Sequence, residues 1–361
     1  MLKQVIKFMI ITGCSILYCS CTLDKNKDEF FLDKKIKSDA KILHIDTISF
    51  FKDLIYARDF LVYQDSILIV RNRKYTDVYF LELYNLKQNC LLKQMFRLGN
   101  GPNELLSANF YLNKNTLTII DVIQDKAVFV NIDSVLQNPS YKVSPIRYFP
   151  YSPIAVQYKE NQLLVENPNC FKDKKLGIDY KAPRFIIHNI NDIYTDKNNY
   201  PYYTWNVTTS GQLITNYHKN RIIYGEANLP IVEIYDTNLN LLKKIQGPDN
   251  LQPNYRIISN EDGPNEILFK KGYIPYSYLS FCTGDNFFYL IYMGDYYLVG
   301  KKELEEYPLW IFQFDWDGNF KDSYSIGRFV SNISISADEN SFYATAISED
   351  KTPFLIKLSK K

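Results

Sequence analysis

A short turn-plus-strand pattern that recurs along the whole chain constrains the fold of these 361 residues more than any other feature. Each copy reads charged residue, Asn or Ser, any residue, and then largely alternating apolar residues. The six copies are Asp65-Ser66-Ile67-Leu68, Lys114-Asn115-Thr116-Leu117, Glu160-Asn161-Gln162-Leu163, Lys219-Asn220-Arg221-Ile222, Asp285-Asn286-Phe287-Phe288 and Glu339-Asn340-Ser341-Phe342. Asn, present in five copies, tolerates the positive φ of a tight turn, and the apolar run after it is typical of a strand. We therefore predict six β-hairpins.

A second pattern follows the first in three of the six units, at residues 83–99, 234–247 and 314–327. Each stretch reads as strand, turn, strand and closing glycine, and Asp317-Gly318 is a strong two-residue turn signal. Two hairpins in a unit give four strands, and the spacing of the units is typical of β-propeller blades. The 30 tyrosines and 23 phenylalanines agree with a strand-rich chain, because aromatic residues favour strands.

The last unit is one outer strand short, because little sequence remains after the strand-like segment 353–358. Residues 41–45 alternate in the manner of a strand and lie just before the first unit. We predict that this segment pairs with the C-terminal strands and closes the ring, which removes an open sheet edge. The fold prediction is thus an all-β, six-bladed β-propeller in one domain, residues 41–361. A two-sheet sandwich is the alternative, although sandwiches lack so regular a repeat.

The start of the chain differs from the rest. Residues 1–20 contain two lysines, no acidic residue and an apolar stretch too short to span a bilayer, which predicts a secretory signal peptide. Ser20 precedes Cys21 in a way that resembles the lipobox of bacterial lipoproteins, so Cys21 is the predicted lipidation site. Cys14 is the alternative site, and an uncleaved signal anchor or a non-lipidated secreted protein is a further alternative. Residues 21–40 mix lysines with acidic residues and are predicted to form a solvated tether.

Charge and residue spacing weigh against several classes of function. The chain has 42 basic and 40 acidic residues, and removal of the two lysines in the signal segment leaves the charges balanced. A balanced chain has no net positive field to hold nucleic acid. None of the three histidines, His44, His188 and His218, has a second His or a Cys at metal-ligand spacing. We therefore expect no metal, no cofactor and no nucleic-acid partner.

Three stretches resemble the TolB-like six-bladed β-propeller lipoproteins of Gram-negative envelopes. Residues 97–105 are similar to the family's Gly-x-Gly-Pro-x-Glu turn between the first two blades, residues 128–136 to the strand and short helical turn that follow, and residues 312–319 to a hairpin of the penultimate blade. The resemblance extends over most of residues 41–361 and is weakest at 170–215. It implies a propeller with an envelope anchor, and the family has no established catalytic residues to transfer to this chain.

The motif Gly-Pro-Asn-Glu occurs twice, at residues 101–104 and 263–266. The turn around the first copy is defined by Gly99, Gly101, Pro102 and Glu104. The favoured interpretation is structural, because Gly and Pro shape a turn between two blades and the Glu carboxylate can accept hydrogen bonds from backbone N–H groups there. The alternative interpretation places this carboxylate in a ligand pocket at the propeller mouth.

An aromatic run at residues 200–205 is the strongest ligand-binding candidate in the sequence. Tyr202, Tyr203 and Trp205 can stack on sugar rings or on partner side chains. The run lies in a long insertion before the fourth unit, where propeller loops are free to carry function. The alternative is that these rings pack between blades.

The sequence shows no catalytic constellation, and it lacks a Gly-x-Ser-x-Gly elbow. We therefore expect a non-catalytic binding or scaffolding lipoprotein of the cell envelope, anchored to the outer membrane and facing either the periplasm or the surface. Its loops or central funnel would hold a glycan, peptide or protein partner, and its lipid anchor would hold the membrane. The alternative is a polysaccharide-acting hydrolase or lyase with its site at the propeller mouth, which requires carboxylates, or His, Tyr and Arg side chains, that converge there.

Overall fold

The structure of the protein is a computed structural model. The described residues are 29–48, 57–72, 79–106, 108–121, 124, 126–147, 155–159, 162–166, 185–189, 211–251, 255–258, 266–269, 274–297, 303, 306–348 and 352–361. They form 27 strands, β1 to β27 in chain order, and two short helices, α1 (Lys35–Ser38) and α2 (Ile132–Gln137). Neither of these described helices is long and apolar enough to cross a membrane. Four predicted site residues lie outside the described residues: Cys21, Tyr202, Tyr203 and Trp205.

Most of the strands pair with their neighbours in the chain, in sheets that we name A to F. Sheet A contains β4 (Ala57–Tyr63), β5 (Ile67–Asn72), β6 (Tyr79–Asn85) and β7 (Cys90–Arg97). Sheet B contains β8 (Ala108–Asn113), β9 (Thr116–Asp121), β10 (Lys126–Asn131) and β11 (Ile146–Arg147). Sheet C has three described strands, β12 (Ala155–Lys159), β13 (Gln162–Glu166) and β14 (Phe185–Asn189).

The second half of the chain continues this arrangement. Sheet D contains β15 (Gly211–Asn216), β16 (Arg221–Glu226), β17 (Ile231–Tyr235) and β18 (Leu241–Gln246). Strands β19 (Tyr255–Ile258) and β20 (Glu266–Phe269) pair only with each other among the described residues. Sheet E contains β21 (Ile274–Thr283), β22 (Phe287–Tyr297), β23 (Trp310–Asp315) and β24 (Phe320–Ser325). Sheet F contains β25 (Val330–Ile335), β26 (Ser341–Ile347) and β27 (Pro353–Ser359).

The repeated pattern marks the hairpin between the first and second strands of a sheet. Five of the six copies lie within the described residues, at the hairpins β4–β5, β8–β9, β15–β16, β21–β22 and β25–β26, and these confirm the prediction. The sixth copy begins at residues 160–161, which lie outside the described residues. The second pattern falls on the hairpins β6–β7, β17–β18 and β23–β24, as predicted.

The backbone of these hairpins differs from the prediction in one respect. A positive φ lies on the charged residue of the pattern at Asp65, Lys114 and Glu339, and on the Asn only at Asn220. The left-handed residue thus comes one position earlier than the pattern indicates. The side chain of the next residue can then form hydrogen bonds beyond the turn, as Asn115 does when it donates to the Asp133 carboxylate.

Apolar side chains on both faces of the second strands determine how the sheets pack. In β5, Ile67 and Ile69 pack against sheet B. Leu68 and Val70 point to the opposite face and pack against sheet F. In β22, the odd-numbered residues 289–293 pack against sheet F and the even-numbered residues 288–292 pack against sheet D. Because side chains alternate between the two faces of a strand, each of these sheets needs a neighbouring sheet on both sides.

Consecutive sheets therefore lie side by side, and sheet A also lies beside sheet F. At that junction the inner edge of β4 is hydrogen-bonded to side chains of sheet F. The N–H of Phe60 donates to Thr345 Oγ1 at 3.0 Å, and the N–H of Val62 donates to Ser334 Oγ at 2.9 Å. First strands of sheets A, B, D, E and F border one central channel. The all-β propeller expected from the sequence is confirmed.

The N-terminal segment runs along the outer edges of three sheets. Strand β1 (Glu29–Phe31) pairs in parallel with β18, β2 (Lys41–Ile42) in parallel with β24, and β3 (His44–Thr47) antiparallel with β27. The prediction of a solvated tether is therefore wrong for residues 29–40. The single strand predicted at residues 41–45 is divided between sheets E and F.

Specific contacts, which the mixed charge of this segment does not indicate, explain why it lies on the sheets and does not form a solvated tether. Leu32 and Leu43 are only 6% and 4% exposed. Trp310 Nε1 donates a hydrogen bond of 3.3 Å to the carbonyl of Lys37, and Lys37 Nζ lies 2.8 Å from Asp249 Oδ2. Two leucines of the segment are thus buried and some of its charges have partners in the sheets, although its composition is that of a solvated chain.

We predict that Leu43→Ala lowers the free energy of unfolding by about 2–4 kcal/mol, because it removes a buried side chain from a packed junction between sheets E and F. Ile42→Ala is the matched control. Ile42 is 73% exposed, so its truncation should change the free energy by at most about 0.5 kcal/mol. Urea denaturation followed by circular dichroism measures both variants. Equal effects of the two substitutions would contradict this packing of the segment.

Candidate functional site

A cavity of about 560 Å³ lies at the hairpin end of the central channel. Side chains from sheets A, B, D, E and F line it. The first strands contribute mainly apolar side chains, among them Leu61, Phe110, Ile214, Phe281 and Ile333. The hairpins contribute polar side chains, among them Gln64, Lys114, Asn115, His218, Asp285 and Glu339. The cavity therefore has an apolar wall and a polar rim.

The repeat itself explains why these side chains converge. The first strand lies at one edge of its sheet, and consecutive residues at its end line the cavity, for example residues 61–64 and 110–112. The hairpin that carries the repeated pattern always follows this first strand. Because first strands of sheets A, B, D, E and F border one channel, the hairpins that follow them lie at the same end of it, and residues far apart in the sequence meet at one rim.

A hydrogen-bonded group joins sheets A and B at the rim. The hydroxyl of Tyr63 donates to Asp133 Oδ1 at 2.8 Å, and Asn115 Nδ2 donates to Asp133 Oδ2 at 3.0 Å. Gln64 Nε2 in turn donates to the Tyr63 hydroxyl at 2.8 Å. Asp133 lies in the first turn of α2, which Asn131 caps by accepting a hydrogen bond from a backbone N–H. Burial and the adjacent Asp133 carboxylate raise the pKa of Tyr63 to about 12.

Carboxylates join the hairpins of sheets E, F and A in the same way. Glu339 of sheet F accepts hydrogen bonds from the N–H of Asn286 and from the hydroxyl of Tyr289, both at 2.9 Å. Asp65 of sheet A accepts a hydrogen bond of 3.0 Å from the N–H of Ala337 in sheet F. The rim is thus cross-linked between sheets, and the cavity is formed before any ligand arrives.

Lys360, near the C-terminus, anchors this part of the rim. Its ammonium group lies 4.8, 5.2 and 5.1 Å from the ring centres of Tyr289, Tyr324 and Phe342. It also donates a hydrogen bond of 2.6 Å to the carbonyl of Glu339. Burial lowers the pKa of this ammonium group. The aromatic rings and the carbonyl replace the water that the charge loses.

The chemistry of the rim suits reversible binding. Asp133 and Glu339, two of its carboxylates, are already hydrogen-bonded to tyrosine hydroxyls. Within the described stretches, no group of three or more His, Cys, Asp and Glu side chains could hold a metal ion. Amide, hydroxyl and imidazole groups at the rim can orient polar groups of a ligand, and the apolar wall can pack against its rings or aliphatic parts.

The Gly-x-Gly-Pro-x-Glu turn connects β7 to β8, and its residues do not line the cavity. Glu104 Oε2 accepts a hydrogen bond of 2.7 Å from the N–H of Gly101, while Pro102 is exposed. A Cβ atom on Gly99 would lie 2.2 Å from Glu104 Oε2, and one on Gly101 would lie 2.9 Å from it. A side chain at either position would displace this carboxylate.

Lys126 supports the same turn from the interior and is only 4% exposed. Its Nζ donates hydrogen bonds to the carbonyls of Gly101 and Glu104, at 2.5 and 2.7 Å, and to Gln124 Oε1 at 2.5 Å. Gln124 Nε2 donates to the carbonyl of Gly99 at 2.7 Å. These contacts connect the turn to sheet B. The second Gly-Pro-Asn-Glu copy lies outside the described residues except for Glu266, which begins β20.

Sequence reasoning did not identify the rim as a site. Tyr63 and Asp133 are 70 residues apart, and no local motif connects them. The repeated turn-plus-strand pattern is a signal from which the rim can be predicted. Equivalent hairpins of a propeller lie at one end of its channel, so polar residues beside them must lie close together. The repeated pattern predicts strands, and its polar residues are typical of turns, so no single copy of the pattern indicates a site.

Comparison with known proteins agrees with this architecture. A model of the TolB-like 6-blade propeller-like family matches residues 35–338. A solved member of the DUF4221 family from Bacteroides vulgatus is 10% identical, with a TM-score of 0.53 over 89% of this chain and 97% of that one. A solved protein named as exported, from Bacteroides fragilis, is 15% identical, with a TM-score of 0.51 over 92% and 99% of the two chains. At these identities the likeness shows the fold alone. No curated protein sequence matches this chain.

We predict that the protein unfolds at alkaline pH as its buried tyrosines ionise. Burial, reinforced by nearby carboxylates, raises the pKa of Tyr63 to about 12 and also raises the pKa of Tyr289 and Tyr292. A tyrosine with a raised pKa contributes its full stabilisation below the unfolded value of about 10 and loses it as the pH rises through the folded value. Tyrosinate absorbance and circular dichroism should therefore change together above that unfolded value. Ionisation of all 30 tyrosines with the sheets intact would contradict the prediction.

Proposed function

We propose that this chain, which belongs to the TolB-like 6-blade propeller-like family, is an exported envelope lipoprotein that binds a short glycan or peptide at the hairpin end of its channel. The observation that carries the proposal is the cavity of about 560 Å³ at that end. Ligand pockets in proteins typically measure about 300–1,000 Å³, so this one has room for one or two sugar rings or a few amino acid residues.

The lining of the cavity supports this ligand class. Phe110, Tyr111 and Phe281 offer ring surfaces, which stack well on sugars and on aromatic or aliphatic side chains. Asn216 and His218 add groups that can donate or accept hydrogen bonds. Glycans and peptides both combine apolar patches with closely spaced hydrogen-bonding groups, and such a mixed lining complements them.

The proposal includes a ring of six blades, one from each of sheets A to F. Two observations support it: sheet C lies between B and D in the order of contacts, and β3 adds a fourth strand to sheet F by pairing with β27. Closing the last blade with an N-terminal strand protects an edge that would otherwise be open to other chains.

A binding function is favoured over catalysis by the state of the rim carboxylates. Asp133 and Glu339 both accept hydrogen bonds that link neighbouring sheets. A carboxylate in such a position contributes to the stability of the rim, and its protonation or attack on a substrate would disturb the linkage. We therefore propose no chemical step.

Export and lipidation rest on the first 28 residues. The basic and apolar residues 1–20 and the Ser20-Cys21 pair support a cleaved signal and a lipid on Cys21. The solved relative named as exported is consistent with an envelope location. In this proposal the propeller stays at the outer membrane, where it meets its ligand in the periplasm or at the cell surface.

Thermal shift assays with envelope glycans, dietary glycans and short peptides test the binding proposal. A ligand at 100 times its dissociation constant adds about 2.7 kcal/mol, which raises the melting temperature by several degrees. We expect a hit whose affinity falls by about tenfold or more in Tyr111→Ala/His218→Ala, because both side chains line the cavity. A separate variant with alanine at Tyr202, Tyr203 and Trp205 tests whether the aromatic run contributes.

Tyr217→Ala/Lys219→Ala is the matched control, because these neighbours of His218 do not line the cavity and are exposed. The control should bind as the natural protein does. Equal affinity of the cavity variant and the control for every hit would contradict a site in the channel. The absence of any shift across the panel would contradict the ligand class.

A further inference from the structure

The described part of the chain begins at the outer edge of sheet D. Strand β1 pairs in parallel with β18, in the register Glu29 with Lys244, Phe30 with Ile245 and Phe31 with Gln246. Glu29 is the first described residue, and we take it as the exit point toward Cys21, which lies eight positions earlier in the sequence. This point is fixed, since residues 29–43 are held by strand pairing and by the burial of Leu32 and Leu43.

Large apolar side chains are exposed around this exit point. Phe30 and Phe31 of β1 are 46% and 65% exposed, and Leu241 and Leu242 of β18 are 50% and 37% exposed. We call these four residues the sheet-D edge patch. Phe30 and Phe31 point to opposite faces of the sheet, because side chains alternate along a strand. Leu241 and Leu242 lie where a bulge interrupts this alternation in β18. An apolar edge of this kind is costly in water and is typical of a surface that another structure covers.

Lysines flank the patch in the manner of a membrane-facing surface. Lys243 Nζ lies 5.2 Å from the ring centre of Phe30 and donates hydrogen bonds to the carbonyl of Gly318 and to Asn319 Oδ1. Lys244 Nζ lies 3.8 Å from Glu29 Oε1. Long lysine side chains can lie with their methylene groups along apolar surface while the ammonium group keeps polar partners. Aromatic and leucine side chains beside lysines are the composition expected of a surface that lies in the headgroup region.

Chain length limits which surface of the propeller can reach the bilayer. Seven residues, 22–28, separate Cys21 from Glu29, and a fully extended chain spans at most about 3.6 Å per residue, so the exit point stays within about 30 Å of the lipid. A domain of this size has a radius of gyration of about 20 Å and hence a diameter of about 50 Å. The surface on the opposite side of the domain, about 50 Å from Glu29, then cannot rest on the membrane.

We propose that the sheet-D edge patch inserts into the headgroup region of the bilayer that holds the lipid anchor, which turns the outer edge of sheet D toward the membrane. The proposal rests on the lipidation of Cys21 proposed above. Insertion of the patch adds a second attachment to the lipid chain, and two attachments hold a protein at a membrane far more firmly than one. The channel then lies parallel to the membrane plane, with its hairpin end open to the side.

Sheet A contains a matched control for this surface. The sequence Leu91-Leu92-Lys93 on β7 repeats Leu241-Leu242-Lys243 on β18, and Leu91 and Leu92 are similarly exposed, at 46% and 40%. Sheet A contacts sheets B and F, whereas sheet D contacts sheets C and E. The β7 edge therefore lies on the far side of the channel from Glu29, beyond the reach of the short connection.

Quenching of a fluorescent dye by brominated lipids tests the proposal. The full-length chain is processed in a Gram-negative host and reconstituted in vesicles of phosphatidylethanolamine and phosphatidylglycerol. In a Cys90→Ser/Cys170→Ser background, an environment-sensitive dye is attached at Phe31→Cys, Leu241→Cys or, as the control, Leu92→Cys. Buried Cys282 is shielded from the dye. With brominated acyl chains in the vesicles, we expect about a twofold loss of emission at positions 31 and 241 and no loss at position 92. Melting curves confirm that the variants are folded.

Mass spectrometry of the N-terminal peptide separates the two proposals. A lipid on Cys21 together with no quenching at positions 31 and 241 would overturn the membrane contact and leave the lipoprotein proposal intact. Equal quenching at all three positions would overturn the orientation. Dye shielding at position 31 that depends on protein concentration and not on lipid would show that a second copy covers the patch. A Cys21 without lipid would overturn the anchor and the membrane contact that rests on it.

Discussion

Burial of apolar side chains on both faces of the second strands is the interaction on which the rest of the structure depends. A sheet with one apolar face can be satisfied by a single partner, as in a sandwich. In β5 and β22, successive residues such as Leu68 and Ile69 are both fully buried, on opposite faces. Such a sheet requires two neighbours, and sheets that all require two neighbours are satisfied when they are arranged around an axis. The channel, its rim and the order of the strands follow from this requirement.

The same requirement creates a cavity from turns that are individually ordinary. Each hairpin satisfies its own backbone, but the rim forms because Asp133, Glu339 and Asp65 accept hydrogen bonds from adjacent sheets. These linkages fix the spacing of the hairpins and leave an open, polar-edged space over apolar first strands. A rim that is already cross-linked loses little conformational freedom when a ligand binds, which favours affinity.

Much of the fold could be predicted from the sequence, because hairpins are local. The repeated pattern, with Asn or Ser at its second position, predicts the first hairpin of sheets A, B, D, E and F, and the apolar runs after it predict strands. That such strands are buried on both faces is seen only in the structure. The packing of the N-terminal segment could not be predicted. Its two buried leucines, Leu32 and Leu43, stand among charged residues in the sequence, and Lys37 has its partner, Asp249, more than 200 residues away. The cavity was not predicted either. A site formed by convergence has no sequence motif, and Tyr63 meets Asp133 only because both flank hairpins at one end of the channel.

Hydrogen exchange at the inner edge of β4 tests the central claim most directly. Among the described residues no strand pairs with this edge of β4, and the amides of Phe60 and Val62 donate instead to side chains of sheet F, Thr345 and Ser334. If the sheets form one cooperative ring, these two amides exchange only by global unfolding and are as protected as the amides in the middle of β5. Rapid exchange at Phe60 and Val62, with β5 still protected, would show that sheets A and F separate in solution and would contradict the account.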